Sequence, residues 1–260
     1  MIIRFDQDAP VDLAGCKGNN LSRMFRAGLP VPRGFCVTSI EPGTGLNRAL
    51  VELDAGSFAV RSSAVHEDAG DASFAGMLLS RLNVPADDVP SALEDIWKSA
   101  ADAAAASYSQ RLDVPRSVRT AAVVQAFIPA EASGVLFTED PRTGERHRVV
   151  EASWGLGPGV VEGLVRPDRW VIREDRTVIS SLIADKDVAI TPAGRSGTTQ
   201  VAVDPSCRRR PCLNPESLRQ LSRLAAECER LFARPQDIEW ALFDNQVWLL
   251  QSRPITRLHK

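Results

Sequence analysis

The chain has 260 residues, 44% hydrophobic and 25% charged, which is enough apolar material for one large or two small packed domains. A formal net charge of −2 gives no general field for a nucleic acid or an anionic membrane, so a phosphate ligand must be held by local cations. No apolar run of 18 residues marks a transmembrane helix, residues 1–6 lack the pattern of a secretory signal, and Cys16, Cys36, Cys207, Cys212 and Cys228 lack framework spacing, so a reduced, cytoplasmic protein is expected.

Along the chain, Gly15-Cys16-Lys17-Gly18 reads as a glycine turn leading into a short helix from Asn19 to Gly28, with Leu21, Met24 and Phe25 on one side. Leu29-Pro30-Val31-Pro32 enforces extended chain, and Gly34 to Thr38 predicts a strand. Residues 41–57 read as a connection with order only from Leu46 to Leu53. Phe58 to Ser63 predicts a strand with a polar end, and residues 64–77 a loop. Residues 87–112 predict a helix, with Val89, Leu93, Ile96, Trp97 and Ala100 on its period. Strands are predicted at 121–128, 134–138, 148–152 and 169–173, punctuated by Gly155-Leu156-Gly157-Pro158-Gly159. A helix over 215–233 has Asn214 as N-cap, Pro215 at its first position and an apolar stripe of Leu218, Leu221, Leu224, Cys228 and Leu231. The mixture defines the fold class as α+β, in two lobes over residues 1–116 and 117–260.

The C-terminal stretch carries the most chemistry. Asp237 to Leu242 and Val247 to Pro254 flank a polar break at Asp244-Asn245 and predict a β-hairpin. One face is expected to carry Ile238, Trp240, Leu242, Trp248 and Leu250, the other Asp237, Glu239, Gln251 and Arg253. Both faces stay coherent only if Glu239 lies opposite Gln251, which calls for an odd loop such as Asp244-Asn245-Gln246, because a one-residue slip flips every side chain. Two carboxylates, an amide oxygen and a guanidinium then share one face. Mg²⁺ takes oxygen ligands and phosphates take Arg. An edge hairpin with a solvated face is the plain alternative.

Other candidates read either way from local sequence. Lys17 in its glycine turn suits a phosphate, or is a surface lysine. Arg61 at a strand end is a cleft residue or a salt-bridge partner. The loop with Gly70, Ser73, Phe74 and Gly76 can lie over a triphosphate, or is ordinary surface. Residues Gln125, Ala126, Phe127 and Ile128 leave a strand and can offer an N–H and a C=O to adenine, or are a plain strand exit. His66, His147 and His259 form no triad or metal pattern with Ser or Cys, and no GxSxG occurs.

Several segments together resemble the phosphoenolpyruvate synthase and pyruvate phosphate dikinase family. They are Gly15-Cys16-Lys17-Gly18-Asn19-Asn20-Leu21 with Ala27 to Phe35; Ala59-Val60-Arg61-Ser62-Ser63-Ala64 with Asp71 to Gly76; Val123-Val124-Gln125 with Ala130 to Pro141; Trp154-Gly155-Leu156-Gly157; and Asp237-Ile238-Glu239-Trp240 with Leu250 to Pro254. They run in order over nearly the whole chain. The resemblance implies an ATP-grasp domain, shared with rifampin phosphotransferase, with the nucleotide between two lobes. It implies ATP and Mg²⁺ as cofactors. Lys17, Arg61 and Arg253 would hold phosphates, and Glu239 and Gln251 would ligate Mg²⁺ with Asp237 beside them. Gln125 to Ile128 would take adenine, Gly76 would cover the phosphates, and Thr138 would lie near them. The chain departs from the family in a trimmed N-terminal lobe, in Pro158 where a Glu is usual and in Met77 where a Gln is usual. It reaches Lys260 without the family's swivelling phosphohistidine segment or pyruvate barrel. The expected activity is therefore phosphotransfer to a His on a separate protein. The alternatives are direct action on a small-molecule hydroxyl or carboxylate, or a non-catalytic ATP-binding module.

Overall fold

The structure is a computed structural model that describes residues 1–38, 45–65, 79–110 and 120–255, without the side chains of 103–110. It comprises two compact units, each α+β. The first consists of Met1–Gly28, Pro32–Phe127 and Ala193–Gly197; the second of Leu29–Val31, Ile128–Pro192 and Thr198–Lys260. The main division falls at Phe127 and Ile128 rather than at 116 and 117, because the strand after the long helix joins the first sheet.

The first unit is an antiparallel sheet of β1 (Ile2–Arg4), β2 (Gly34–Val37), β3 (Phe58–Ala64), β4 (Ser80–Val84) and β5 (Thr120–Ala126), in the order β1-β2-β5-β3-β4. Helices α2 (Gly45–Leu53) and α3 (Val89–Gln110) bury Leu46, Leu50, Leu93 and Ile96 against Phe35, Val37, Phe58, Val60 and Val124. Helix α1 (Val11–Arg26) covers the opposite face, against β3 and β5. Strand β3 is buried along its whole length, as expected of a central strand covered on both faces. The expected helix at 19–28 is thus part of a longer one, and residues 45–53 form a full helix.

The second unit is an antiparallel sheet of β6 (Ala132–Phe137), β7 (Arg148–Trp154), β8 (Asp168–Ile172), β9 (Val178–Leu182), β12 (Gln236–Phe243) and β13 (Gln246–Pro254). Its order is β13-β12-β6-β7-β8-β9. A separate ribbon pairs β10 (Val188–Pro192) with β11 (Thr198–Ala202). A short α4 (Pro158–Val161) follows Gly155, whose φ of 79° brings the chain against Ile190. A Cβ on Gly155 would stand 2.2 Å from the Ile190 carbonyl oxygen. Strands β9 to β11 had no signature in the sequence. All five side chains of both β9 and β11 are exposed, so no inward-outward alternation marks them.

Helix α5 (Pro215–Phe232) begins as expected: Asn214 Oδ1 accepts the Ser217 N–H at 2.9 Å, and Pro215 takes the first position. Its stripe of Leu218, Leu221, Leu224, Ala225 and Cys228 is buried against β6, β12 and β13. Each buried leucine stabilises the unit by about 1.5–3 kcal/mol. The outer edge of β13 is met by Pro30, whose carbonyl accepts the Leu249 N–H at 2.8 Å.

A fully buried ion pair lies at the far side of this unit. Asp168 on β8 accepts Lys186 Nζ at 2.6 Å and the Ala184 N–H at 2.8 Å through Oδ1, and the Cys212 N–H at 3.0 Å through Oδ2. Burial pushes the Cys36 and Cys228 thiols up to about 12, and burial followed by the Asp168 charge pushes that of Cys212 higher still. These three stay protonated at neutral pH, whereas Cys16 and Cys207 are only partly buried. In a thiol titration of the native chain at pH 8, Cys16 and Cys207 should react promptly and the other three only on unfolding. Prompt reaction of Cys36 would show that the α1 face of the first sheet is open.

Candidate functional site

In the first unit, Lys17 and Arg61 are brought to one place by a break in α1. Gly15 has φ 70° and ψ 173°, outside helical values, and a Cβ there would stand 2.3 Å from the Ser63 carbonyl oxygen. Only glycine lets the helix close onto β3 at this point. Ser63 Oγ then donates to the Ala14 carbonyl at 2.6 Å and accepts the Gly18 N–H at 3.0 Å. The following turn carries Lys17 inward, and its Nζ donates to the Ser62 carbonyl at 3.0 Å. Ser62 directly follows Arg61, and Arg61 shares the α1 face of β3 with Ser63. Lys17 is 7% and Arg61 9% exposed. Two cations fixed on one sheet face favour anionic oxygens.

The strand exit at Gln125 to Ile128 is more committed than its sequence suggests. Gln125 is buried and its Nε2 donates to the Pro32 carbonyl at 3.3 Å. The Ala126 N–H donates to the Arg33 carbonyl at 2.8 Å and the Phe127 N–H to the Ser57 carbonyl at 3.0 Å. The Ile128 carbonyl accepts the Ala130 N–H at 2.9 Å. The Phe127 C=O and the Ile128 N–H take no part in these bonds.

In the second unit, β12 and β13 form the expected hairpin, with Glu239 opposite Gln251 and Asp237 opposite Arg253. The route to that register differs from expectation. The loop is the two-residue turn Asp244-Asn245, with φ of 50° and 58°, between the paired Phe243 and Gln246. Positive φ at both central residues is the hairpin turn that matches strand twist. Such a turn alone would give the wrong parity. A β-bulge restores it, because Trp240 pairs with Leu249 while the adjacent Glu239 pairs with Gln251, leaving Leu250 as the extra residue. The face assignments change accordingly. The apolar face carries Ile238, Trp240 and Leu242 with Val247 and Leu249, all buried. Trp248, opposite Ala241, belongs to the polar face with Asp237, Glu239, Gln251 and Arg253, and Leu250 is the bulged residue.

On that polar face Arg253 Nε donates to Asp237 Oδ2 at 2.9 Å, which aims the guanidinium along the strand pair. Glu239 and Gln251 are directly cross-strand, with their Cβ atoms about 5 Å apart. A carboxylate oxygen and an amide oxygen at that spacing suit a hard divalent cation. Among the described residues no three His, Cys, Asp or Glu side chains gather into a cage. Asp237 engages Arg253 through Oδ2 alone. Thr138 is buried; its Oγ1 accepts the Gln236 N–H at 2.9 Å, which closes the ladder between β6 and β12. Gly76 lies outside the described residues.

Register also shows functional candidates that the sequence did not. Gln251, Glu239, Val135, Glu151 and Arg169 form one row across β13, β12, β6, β7 and β8, all on the same face. Arg169 contacts Asp140 at 3.3 Å and Glu151 at 3.6 Å, and Arg142 reaches Glu151 at 3.7 Å. Both Glu151 and Arg169 fall in predicted strands, but only strand order places them in line with Glu239.

One α+β unit thus carries a buried pair of cations, and the other a carboxylate–amide–guanidinium face. The chain belongs to the family described as pyruvate phosphate dikinase, AMP/ATP-binding domain, which matches residues 44–260. Similar curated proteins include the prodigiosin synthesizing transferase PigC of Serratia marcescens, 36% identical over 93% of this chain and 31% of that protein. A probable phosphoenolpyruvate synthase of Methanothermobacter thermautotrophicus is 32% identical over 95% of this chain and 44% of that protein. A rifampicin phosphotransferase of Bacillus cereus is 32% identical over 95% of this chain and 34% of that protein. The chain thus spans between about a third and somewhat under half of the length of these relatives. Among solved structures, a D-alanine–D-alanine ligase from Bacillus anthracis complexed with ATP covers 94% of this chain and 56% of its own, at 9% identity and a TM-score of 0.45. That likeness is too slight to inform the site. Among the described residues no helix is long and apolar enough to cross a membrane.

Proposed function

We propose that this is an ATP-grasp domain that binds Mg·ATP and passes a phosphoryl or pyrophosphoryl group to a histidine on a separate swivelling protein or domain, as the nucleotide-binding component of a phosphoenolpyruvate synthase-like system. The observation that carries it is the cross-strand placement of Glu239 and Gln251 beside the Arg253–Asp237 pair on one sheet face. The family match and the relatives named as phosphotransferases support the same reading. An ATP requirement fits a cytoplasmic protein.

Phosphoryl transfer asks for positioning and charge neutralisation more than for covalent chemistry. Glu239 and Gln251 would hold Mg²⁺, which supplies charge neutralisation on the phosphate oxygens when bound. In the first unit Lys17 and Arg61 would meet phosphate oxygens; in the second, Arg253 would do so, kept in line by Asp237. The Phe127 C=O and Ile128 N–H would read the edge of the base. In the transfer, a histidine nitrogen forms a bond to phosphorus as the P–O bond to the departing nucleotide breaks, and the nucleotide leaves with the bridging oxygen. A second reading is transfer directly to a small-molecule hydroxyl or carboxylate.

Nucleotide product analysis tests both. The chain is incubated with ATP labelled at the β- and γ-phosphates, Mg²⁺ and a fractionated extract as acceptor pool. AMP for pyrophosphoryl transfer, or ADP for phosphoryl transfer, together with an acid-labile labelled protein is the expected result. ADP with a labelled small molecule would replace the histidine acceptor by the second reading. Absence of both nucleotide products despite tight ATP binding would leave a non-catalytic ATP-binding module.

A further inference from the structure

Trp248 is the largest side chain on the polar face of the hairpin, and the bulge at Leu250 puts it there. Residues 248 and 251 are three apart, and in a regular strand they would point to opposite faces. With one residue bulged out, Trp248 pairs with Ala241, which shares its face with Glu239, while Gln251 pairs with Glu239 itself. Trp97, Trp170 and Trp240 are buried in the cores; Trp248 is only half-buried. Three residues of strand separate it from Gln251, about 10 Å or slightly less. That is the order of distance between the distal phosphates of a nucleotide and its base.

The direction also fits. Chain arriving from Ile128 reaches β6 at Ala132, which pairs with Leu242, and the Glu131 N–H donates to the Leu242 carbonyl at 2.9 Å. Ser133 pairs with Ala241, and Ala241 with Trp248. The segment proposed to read the base therefore enters at the Trp248 end of the hairpin, not at the Arg253 end. The side chains beside Trp248 on the next two strands, Ala241 and Ser133, are small and buried, and Ser133 Oγ donates to the Gly155 carbonyl at 2.6 Å.

We infer that Trp248 is the wall against which the purine of the bound nucleotide stacks, making it a binding residue of the site. This rests on the nucleotide-binding reading of the Glu239–Gln251 face. Aromatic–base stacking is tolerant of base identity but requires a base. The contribution of Trp248 should therefore vanish for a ligand that has only phosphates.

The test is calorimetric titration of the full chain with Mg·ATP and, separately, with Mg·tripolyphosphate, for the native protein, Trp248→Ala and Trp248→Phe. The expected result is that Trp248→Ala weakens ATP by about tenfold or more, leaves tripolyphosphate unchanged, and is largely rescued by Trp248→Phe. Equal weakening of both ligands would make Trp248 a structural residue and overturn the inference, as would an unchanged ATP affinity. If the native protein binds neither ligand, the nucleotide reading itself fails. That outcome is distinct from a Trp248 effect confined to the variants.

Discussion

Replacing Glu239 by alanine will abolish metal-dependent turnover while leaving the protein folded. Glu239 is only partly buried and sits on the polar face of β12, so its loss opens no cavity in the Trp240 core. What it removes is the single carboxylate directly opposite Gln251. Without it the amide oxygen remains as a weak, uncharged partner for a cation whose affinity depends on anionic oxygen. The loss should be on the order of 10²–10³-fold in rate, the scale seen when one group that stabilises transition-state charge is removed. Measuring turnover against Mg²⁺ concentration at fixed ATP, with an unfolding curve for the same sample, checks both halves. An active Glu239→Ala variant with an unchanged Mg²⁺ dependence would rule out the hairpin as the metal site.

The largest expected effect on stability lies elsewhere, at Asp168. Asp168 and Lys186 are both 0% exposed. The carboxylate gathers the ammonium, the Ala184 N–H and the Cys212 N–H, so it ties two loops to β8. Asp168→Ala leaves a buried ammonium with only the Ala184 carbonyl and strands two N–H groups with no oxygen to replace the lost ones. Removing one member of a buried pair costs about 3–5 kcal/mol. The double change Asp168→Leu with Lys186→Met should recover much of that, because no uncompensated charge remains. Urea unfolding of the two variants reads this directly. A single variant that loses less than about 1 kcal/mol would show that the pair does not hold the unit together.

The hairpin shows what was legible in the sequence and what was not. Alternation of apolar and polar residues demanded that Glu239 face Gln251, and it does. The means was illegible. Asp244-Asn245 tolerates positive φ at both positions, so the short turn wins over a three-residue loop, and the parity error is absorbed at Leu250, which has no special chemistry to announce a bulge. Trp248 went to the wrong face for that reason alone. Helix α1 failed in the opposite way. Gly15 and Gly18 read as helix breakers, but Gly15 is there for its approach to Ser63, and at Gly18 a Cβ would stand 2.5 Å from Cys36 Sγ. Those requirements come from β2 and β3, far away in sequence. Lys17 and Arg61 could be nominated individually; their meeting at Ser62 depends on the same tertiary contact. The lobe boundary was misplaced because β5 looks like any buried strand, and nothing local says which sheet it will join.

The contact between Pro30 and Leu249 bears on how such a domain can be inherited. Leu29–Val31 belongs with the second unit although almost a hundred residues of the first separate it from Ile128 in the chain. The division is clean in space and not in the gene. A crossover at codon 128 would exchange the C-terminal sheet but keep the other parent's strap, whose Pro30 carbonyl must still meet the Leu249 N–H on the outer edge of β13. Recombination between relatives should therefore preserve the two lobes as a pair, with the strap and the hairpin changing together.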